Sequence, residues 1–428
     1  MSTSPELAGL RERELQRFEA ASPRSRRLHH EAAAALSGGI ASSFQRATPW
    51  PLHLVAGAGA EVTDADGARR IDFHNGFGAM LQGHAHPAIV ATIEARARAG
   101  THFAAPGEDA GAVAEELARR FGLSRWRFVN SGSEAALDAI RIARGLTGRE
   151  TVVEAEGAYH GLAATALAGR ERAPFDDPAA LAVKLGELED EGRPAACVIL
   201  EPALMLGCVE PSPGYLAEVR ELTRRRSVPL IFDEVKTGLS IAAGGAVERY
   251  GVRPDLVAVG KALGGGLPTA AVGGSEAAMA AVEDDRVVQA GTYNGNALAM
   301  AVARVNLLEI LTPAAYERFE RLGDRLARVC EAAFASADPP GHGLALGARG
   351  GFTLADGPVR DATGFEAARS PDLESLLWIY AANRGLYLTP ARPQNWTLSV
   401  AHGEAEVDRY AAVLGELLGE LAGAWSRP

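Results

Sequence analysis

In "DLVAVGKALGGGLP", residues 255 to 268, an apolar run delivers one lysine, Lys261, into a glycine-rich loop. A lysine at the end of an apolar strand is easily held partly neutral, and a neutral amine suits Schiff-base formation with a carbonyl. "PLIFDEVKTG", residues 229 to 238, sets Asp233 directly after Leu230, Ile231 and Phe232. A buried carboxylate there needs a cationic or protonated partner. Taken alone, Asp233 reads as a loop cap or the partner of a neighbouring arginine, and Lys261 as a surface lysine. Taken together at neighbouring strand ends, they suit pyridoxal phosphate, whose aldehyde needs a lysine and whose ring nitrogen needs a carboxylate.

Such a cofactor also needs a phosphate cradle. "VNSGSEAALDAI" opens a helix with Ser131, Gly132 and Ser133, where unpaired backbone N–H groups, hydroxyls and the helix dipole favour an anion. The same residues also read as an ordinary serine N-cap with Glu134 beside it. "GAYHG" places Tyr159 where a flat ring could stack on a flat cofactor, and "GTYNGN" offers the hydroxyl of Thr292. Tyr159 reads equally as a core or rim tyrosine, and Thr292 as a turn residue.

Positioning these residues requires a particular set of elements. The runs "TVVEAEGAYHG", "ACVILEP", "PLIFDEVKTG", "DLVAVGK" and "TAAVGG" are short, apolar and unalternated, with helical or looped stretches between them. That pattern predicts a mainly parallel sheet covered on both faces, with ligands beyond its carboxyl ends. Residues 5 to about 36 read as polar helix. Asp66-Gly67 marks a hairpin turn, and "DRYAAVLGELLGELAGAW" is a closing helix.

These motifs stand in one order along the chain: "DADG", "GHAHP", "VNSGSEA", "YHG", "FDEVKTG", the "GK" that precedes "GGG", and "GTYNGN". From about residue 38 to 410 the chain resembles the class III, or omega-type, pyridoxal-phosphate aminotransferases, in the branch of glutamate-1-semialdehyde aminomutase and β-amino-acid aminotransferases. The resemblance implies an α/β protein of PLP-dependent transferase fold type I. A large mainly parallel-sheet domain is expected over residues 76–320. The smaller α/β domain would be formed by the chain termini, with 1–75 an N-terminal helix and hairpin segment packing on 321–428.

The resemblance also implies roles. Lys261 would be the Schiff-base lysine and proton shuttle, and Asp233 the partner of the ring nitrogen. Val235 and Tyr159 would cover the two ring faces, and Ser131, Gly132 and Ser133 would hold the phosphate. Thr292 would reach that phosphate from the neighbouring subunit of a homodimer. The expected reaction is ping-pong transfer of an amino group between a small-molecule donor and acceptor.

Several positions depart from the aminomutase pattern. "GGIASSFQR" has Gln45, with Arg46 beside it, where the mutases carry a carboxylate-binding arginine. Gln394 stands in place of a gating glutamate, and Leu204, Met205 and Leu206 occupy the segment that should hold an asparagine. "LYLTPARPQNW" is similar to a segment of β-amino-acid aminotransferases and makes Arg392 a candidate for substrate carboxylate, with Arg46 a second candidate; a solvated surface arginine is the competing reading of Arg392. With Trp396 nearby, the substrate expected is an amino acid with an apolar or aromatic group, β-amino acids included. The alternative is an aminomutase-like isomerase, and a third reading is a binding protein without turnover.

Composition narrows the classes further. The 43 basic and 54 acidic residues are interspersed and leave a formal charge of -11, which disfavours nucleic acid and anionic membranes as partners. Cys197, Cys208 and Cys330 are scattered, and neither an apolar leader nor a membrane-length apolar run is present, so a cytoplasmic location is expected. His84 and His86 in "GHAHP" lack a carboxylate cluster and read as a structural loop, with no metal expected.

Overall fold

The computed structural model describes residues 5–204, 209–335, 341–390 and 392–422. Met205, Leu206 and Cys208 lie outside the described residues. The N-terminal segment, expected as one helix, is two: Pro5–Ala21 and Pro23–Ala32. Pro23 is the cause, because it cannot continue the first helix yet suits the first turn of the second. Phe18, fully buried, anchors the first helix on Trp378 and Trp50, with ring centroids 5.2 and 6.0 Å away. Strands β1 (Leu54–Ala58), β2 (Glu61–Asp64) and β3 (Arg69–Asp72) then form an antiparallel meander. Asp64 closes its expected turn by accepting from the N–H groups of Asp66 and Ala68 at 3.0 and 2.8 Å.

Seven strands make the central sheet: β4 (Arg125–Val129), β5 (Thr151–Ala155), β6 (Arg170–Ala173), β7 (Ala195–Leu200), β8 (Leu230–Glu234), β9 (Leu256–Val259) and β10 (Ala270–Gly274). Their spatial order is β4-β10-β9-β8-β7-β5-β6. Neighbours from β9 to β6 are parallel, and β10 is antiparallel to both β9 and β4. It follows that β4 runs in the same direction as the parallel strands and ends at the same edge.

The unalternated strands have a simple physical origin. In β7, Cys197 and Ile199 enter one apolar cluster, while Val198 and Leu200 enter the other. Side chains alternate between faces, so a strand covered on both faces is apolar at every position. The helix Gly132–Thr147 covers one face through Ile140 and Ile142.

Beyond this sheet the chain builds β11 (His342–Leu346), β12 (Arg349–Thr353) and β14 (Asn395–Thr397) into an antiparallel sheet, against which the long helix Pro313–Ala335 packs. The intervening β13 (Leu386–Tyr387) adds in parallel to β3. N- and C-terminal segments thus share one sheet. Among the described residues no single helix is long and apolar enough to cross a membrane.

Candidate active site

Four strand ends of the central sheet meet at one cavity of about 150 Å³, lined by Phe44, Ser131, Gly132, Ser133, Tyr159, His160, Gly161, Asp233, Val235, Lys236 and Lys261. Asp233 sits in β8 opposite Ala258 of β9, and Lys261 follows two residues after β9 ends. Tyr159 lies in the turn after β5, four residues beyond the strand.

Asp233 is almost fully buried, and its two oxygens are both engaged. Oδ2 lies 2.7 Å from Nδ1 of His160, and Oδ1 accepts from the Val235 N–H at 3.0 Å. The adjacent Glu234 points to the opposite side, where it accepts from the Ala246 N–H and the Thr237 hydroxyl. Burial pushes its carboxyl up to about 7. Strand alternation therefore separates a carboxylate that faces the cavity from one that ties down a helix start.

Lys261 has φ of +45°, a left-handed conformation uncommon for a residue with a side chain. Its ammonium is lowered to about 8, first by burial and then by the charges of Lys236 and Arg349, with Asp233 and Glu201 opposing. Lys236 is held 2.7 Å from Glu201 Oε1, while Oε2 of the same carboxylate accepts from the Tyr159 N–H at 2.9 Å. Glu201 thus couples the tyrosine turn to a second cation at the cavity.

The helix start at Ser131–Ser133 is an N-cap packed on the cavity. Ser131 caps the helix, its Oγ accepting from the Glu134 N–H at 3.2 Å, while the first N–H groups of the helix have no intrahelical acceptor. Gly132 is required by packing: a Cβ there would stand 2.4 Å from Cγ1 of Val235. Residues 131–133 are consequently drawn tight against the valine beside Asp233.

A second cavity, of about 590 Å³, shares Phe44, Tyr159, Lys236 and Lys261 with the first and continues past Phe77, Arg349, Arg392 and Trp396. Arg392 faces it with Nη1 buried and, among the described residues, without a hydrogen-bond partner, Nη2 lying 3.6 Å from Glu366. Trp396 is buried in its wall. Arg46 is exposed and lines neither cavity, whereas its neighbour Phe44 lines both. Gln45 accepts from the Ala41 N–H, and Gln394 donates to Glu374 outside the cavity lining. Leu204 is buried and bridges to Val209. Thr292 is exposed and lines neither cavity of this subunit.

Sequence reasoning overlooked His160, Glu201, Lys236, Phe44 and Arg349. His160, Glu201, Lys236 and Phe44 stand inside the motifs given above, and a search for partners of Asp233 could have singled out the histidine. Arg349 carried no local signal. In the loop read as structural, His84 bonds Asp72 at 2.7 Å and His86 accepts from the Ala88 N–H at 3.3 Å.

The residues present fit a flat, phosphate-bearing aldehyde. They combine a partly neutral lysine, a buried carboxylate held by an imidazole, a helix start shaped by Gly132, and a tyrosine ring in the wall. Comparison with known proteins agrees with that chemistry. The family model described as aminotransferase class-III matches residues 43–178 and 171–336. A protein of Sorangium cellulosum named glutamate-1-semialdehyde 2,1-aminomutase is 38% identical, covering 92% of this chain and 96% of its own. The crystal structure of a glutamate-1-semialdehyde-aminomutase from Pseudomonas aeruginosa has a TM-score of 0.90 at 32% identity, covering 97% of this chain and 98% of that one. A β-phenylalanine aminotransferase from Variovorax paradoxus has a TM-score of 0.89 at 29% identity, with 98% and 99% covered.

Proposed function

This chain belongs to the class-III aminotransferase family, and from that premise we propose that it is a pyridoxal-phosphate-dependent aminotransferase. It moves an amino group between an amino acid, β-amino acids included, and a keto acid or aldehyde. The observation that carries this reading is the convergence of Lys261 and the Asp233–His160 pair on one cavity.

When bound, the cofactor supplies an aldehyde for amine exchange and an electron-withdrawing ring that acidifies the C–H bond beside the transferred nitrogen. Asp233, oriented by His160 and the Val235 N–H, would pair with the ring nitrogen. Val235 and Tyr159 would confine the ring, and Ser131, Gly132 and Ser133 would hold the phosphate. Lys261 Nζ would hold the cofactor's aldehyde and, when free, would accept and return a proton as general base and acid. Its lowered affinity for a proton suits both tasks near neutral pH. Arg392 binds substrate carboxylate while Phe44, Phe77 and Trp396 contact an apolar side chain. Arg46 and Thr292 serve the site of a homodimer from its rim, Thr292 reaching the neighbouring subunit's phosphate. The reaction runs in the cytoplasm.

A second reading, an intramolecular aminomutase, is favoured by the names of the Sorangium and Pseudomonas relatives. Gln45 and Gln394 weigh against it. One experiment separates the two. The purified protein is scanned by absorption with α-, β- and ω-amino acids, alongside Lys261→Ala. A cofactor band that converts to the aminated form with one donor class, and recovers only when a keto acid or aldehyde is added, supports transamination. Turnover of a diamino or amino-aldehyde substrate without any external acceptor supports the mutase. A spectrum indifferent to every donor and to the lysine change removes both.

A further inference from the structure

The reading of Lys261 as the reactive amine leaves open what keeps it in its left-handed conformation. L-residues rarely occupy that region, because Cβ crowds the following carbonyl. Something must therefore hold the peptide that follows. The chain after Lys261 turns through Ala262–Gly264 and reaches Gly265, itself at φ +53°. A Cβ on Gly265 would lie 3.1 Å from Val302 and 3.5 Å from Asn306, so the turn rests directly on the helix Ala297–Val305 and its continuation.

That continuation is irregular. Residues Asn306–Ile310 form one π turn, with the Leu311 N–H donating to the Asn306 carbonyl at 2.9 Å. A π turn inserts one extra residue and so rotates the following side chains relative to an uninterrupted α-helix. Asn306 stands at its start, its own N–H still bonded in the α-helical pattern to the Val302 carbonyl, and its side chain faces the lysine turn, while Leu307 and Ile310 after it are buried. Asn306 is itself wholly buried, and Nδ2 donates to the Ala262 carbonyl at 2.6 Å. Among the described residues its Oδ1 has no hydrogen-bond partner. An apolar site that retains an amide with half its hydrogen-bonding capacity unused is costly, and such exceptions call for a specific explanation.

We propose that Asn306 is the positioning residue for Lys261: its amide clamps the Ala262 carbonyl and thereby fixes the left-handed turn that aims Nζ into the cavity. This rests on the proposed role of Lys261. The helix Ala297–Val305 presents the amide at its end, and the orphaned Oδ1 is the cost of presenting it. Without the clamp the turn relaxes toward ordinary backbone angles, and Nζ leaves the enclosure it shares with Lys236 and Arg349.

The test compares Asn306→Leu and the smaller Asn306→Ser with Leu307→Ala, which removes packing from the same turn and leaves the amide in place. Two readouts are used. In the full chain freed of cofactor, cyanate labelling of Lys261 is followed by peptide mass spectrometry across pH, since only the neutral amine reacts. In the loaded enzyme, kcat and KM are measured with a responsive donor. Both Asn306 variants are expected to move the labelling midpoint upward from about 8 and to lower kcat about tenfold or more with KM little changed. Leu307→Ala is expected to lower the melting temperature and leave the midpoint where it was. If the Asn306 variants keep the wild-type midpoint and kcat, or Leu307→Ala moves both as far, the assignment is overturned. A wild-type chain that transfers no amino group defeats the proposed function instead, and the labelling comparison still decides the role of Asn306.

Discussion

Lys261 and Asp233 owe their chemistry to neighbours more than to residue type. Burial and the charges of Lys236 and Arg349 disfavour the protonated form of Lys261, which titrates at about 8. Only the neutral amine attacks an aldehyde, so cofactor uptake by the freed chain should accelerate as pH rises and level off above about 8. Stopped-flow absorbance at the cofactor band would measure this. Lys236→Ala should move the midpoint upward; an unchanged midpoint would leave burial and Arg349 as its causes. The stability consequence has a definite sign. Below the folded value both states are protonated and the folded state bears the full cost, which is relieved as pH rises from about 8 toward the ordinary lysine range.

At the scale of elements, the site depends on strands that end together and on one close helix approach. β8 alternates so that Asp233 faces the cavity and Glu234 faces the helix Gly245–Tyr250. The helix Gly132–Thr147 begins against Val235 only because residue 132 has no side chain. Gly132→Ala should therefore push the phosphate corner away, costing about 1–3 kcal/mol by overpacking and weakening cofactor retention in equilibrium dialysis. The double variant Gly132→Ala, Val235→Ala should recover much of the stability loss. Failure to recover would mean that the helix start is displaced for another reason.

Across the whole molecule, the two ends of the chain are fastened to each other. Glu14 of the first helix is 1% exposed and receives Arg384 at 3.0 Å and Asn383 at 2.8 Å, while Arg384 also meets Glu416 and Glu420 of the last helix. Burial by itself would raise the Glu14 carboxyl, but these donors hold it below its ordinary value. The contribution is present above the ordinary carboxylate range and is lost as pH falls through the lowered folded value. Arg384→Met should destabilise the protein by about 1–3 kcal/mol near neutral pH and flatten that acid limb. Thermal melts of both proteins across pH 3 to 7, roughly the span over which carboxylates change charge, would reveal it; parallel acid limbs would assign the ion pair no net role.

How much of this was legible in the sequence depended on the range of the cause. Unalternated apolar runs announced a covered parallel sheet because side-chain alternation is local. Lys261, Asp233, Ser131–Ser133 and Tyr159 could be picked out because strand ends and helix starts leave local marks. The break at Pro23 was equally local, yet was read through as one helix. What no local pattern carried was company: His160 beside Asp233, Glu201 between Tyr159 and Lys236, Arg349 near Lys261, and Asn306 under the lysine turn. These pairs are joined across 35 to 88 residues of chain, and a carboxylate, amide or guanidinium gives no sign in sequence of the distant partner it will meet. The sequence by itself determined which groups could react and on which elements they stand. Tertiary structure alone decided which of them share a cavity, because burial and electric field at a side chain are set by whatever the fold packs around it.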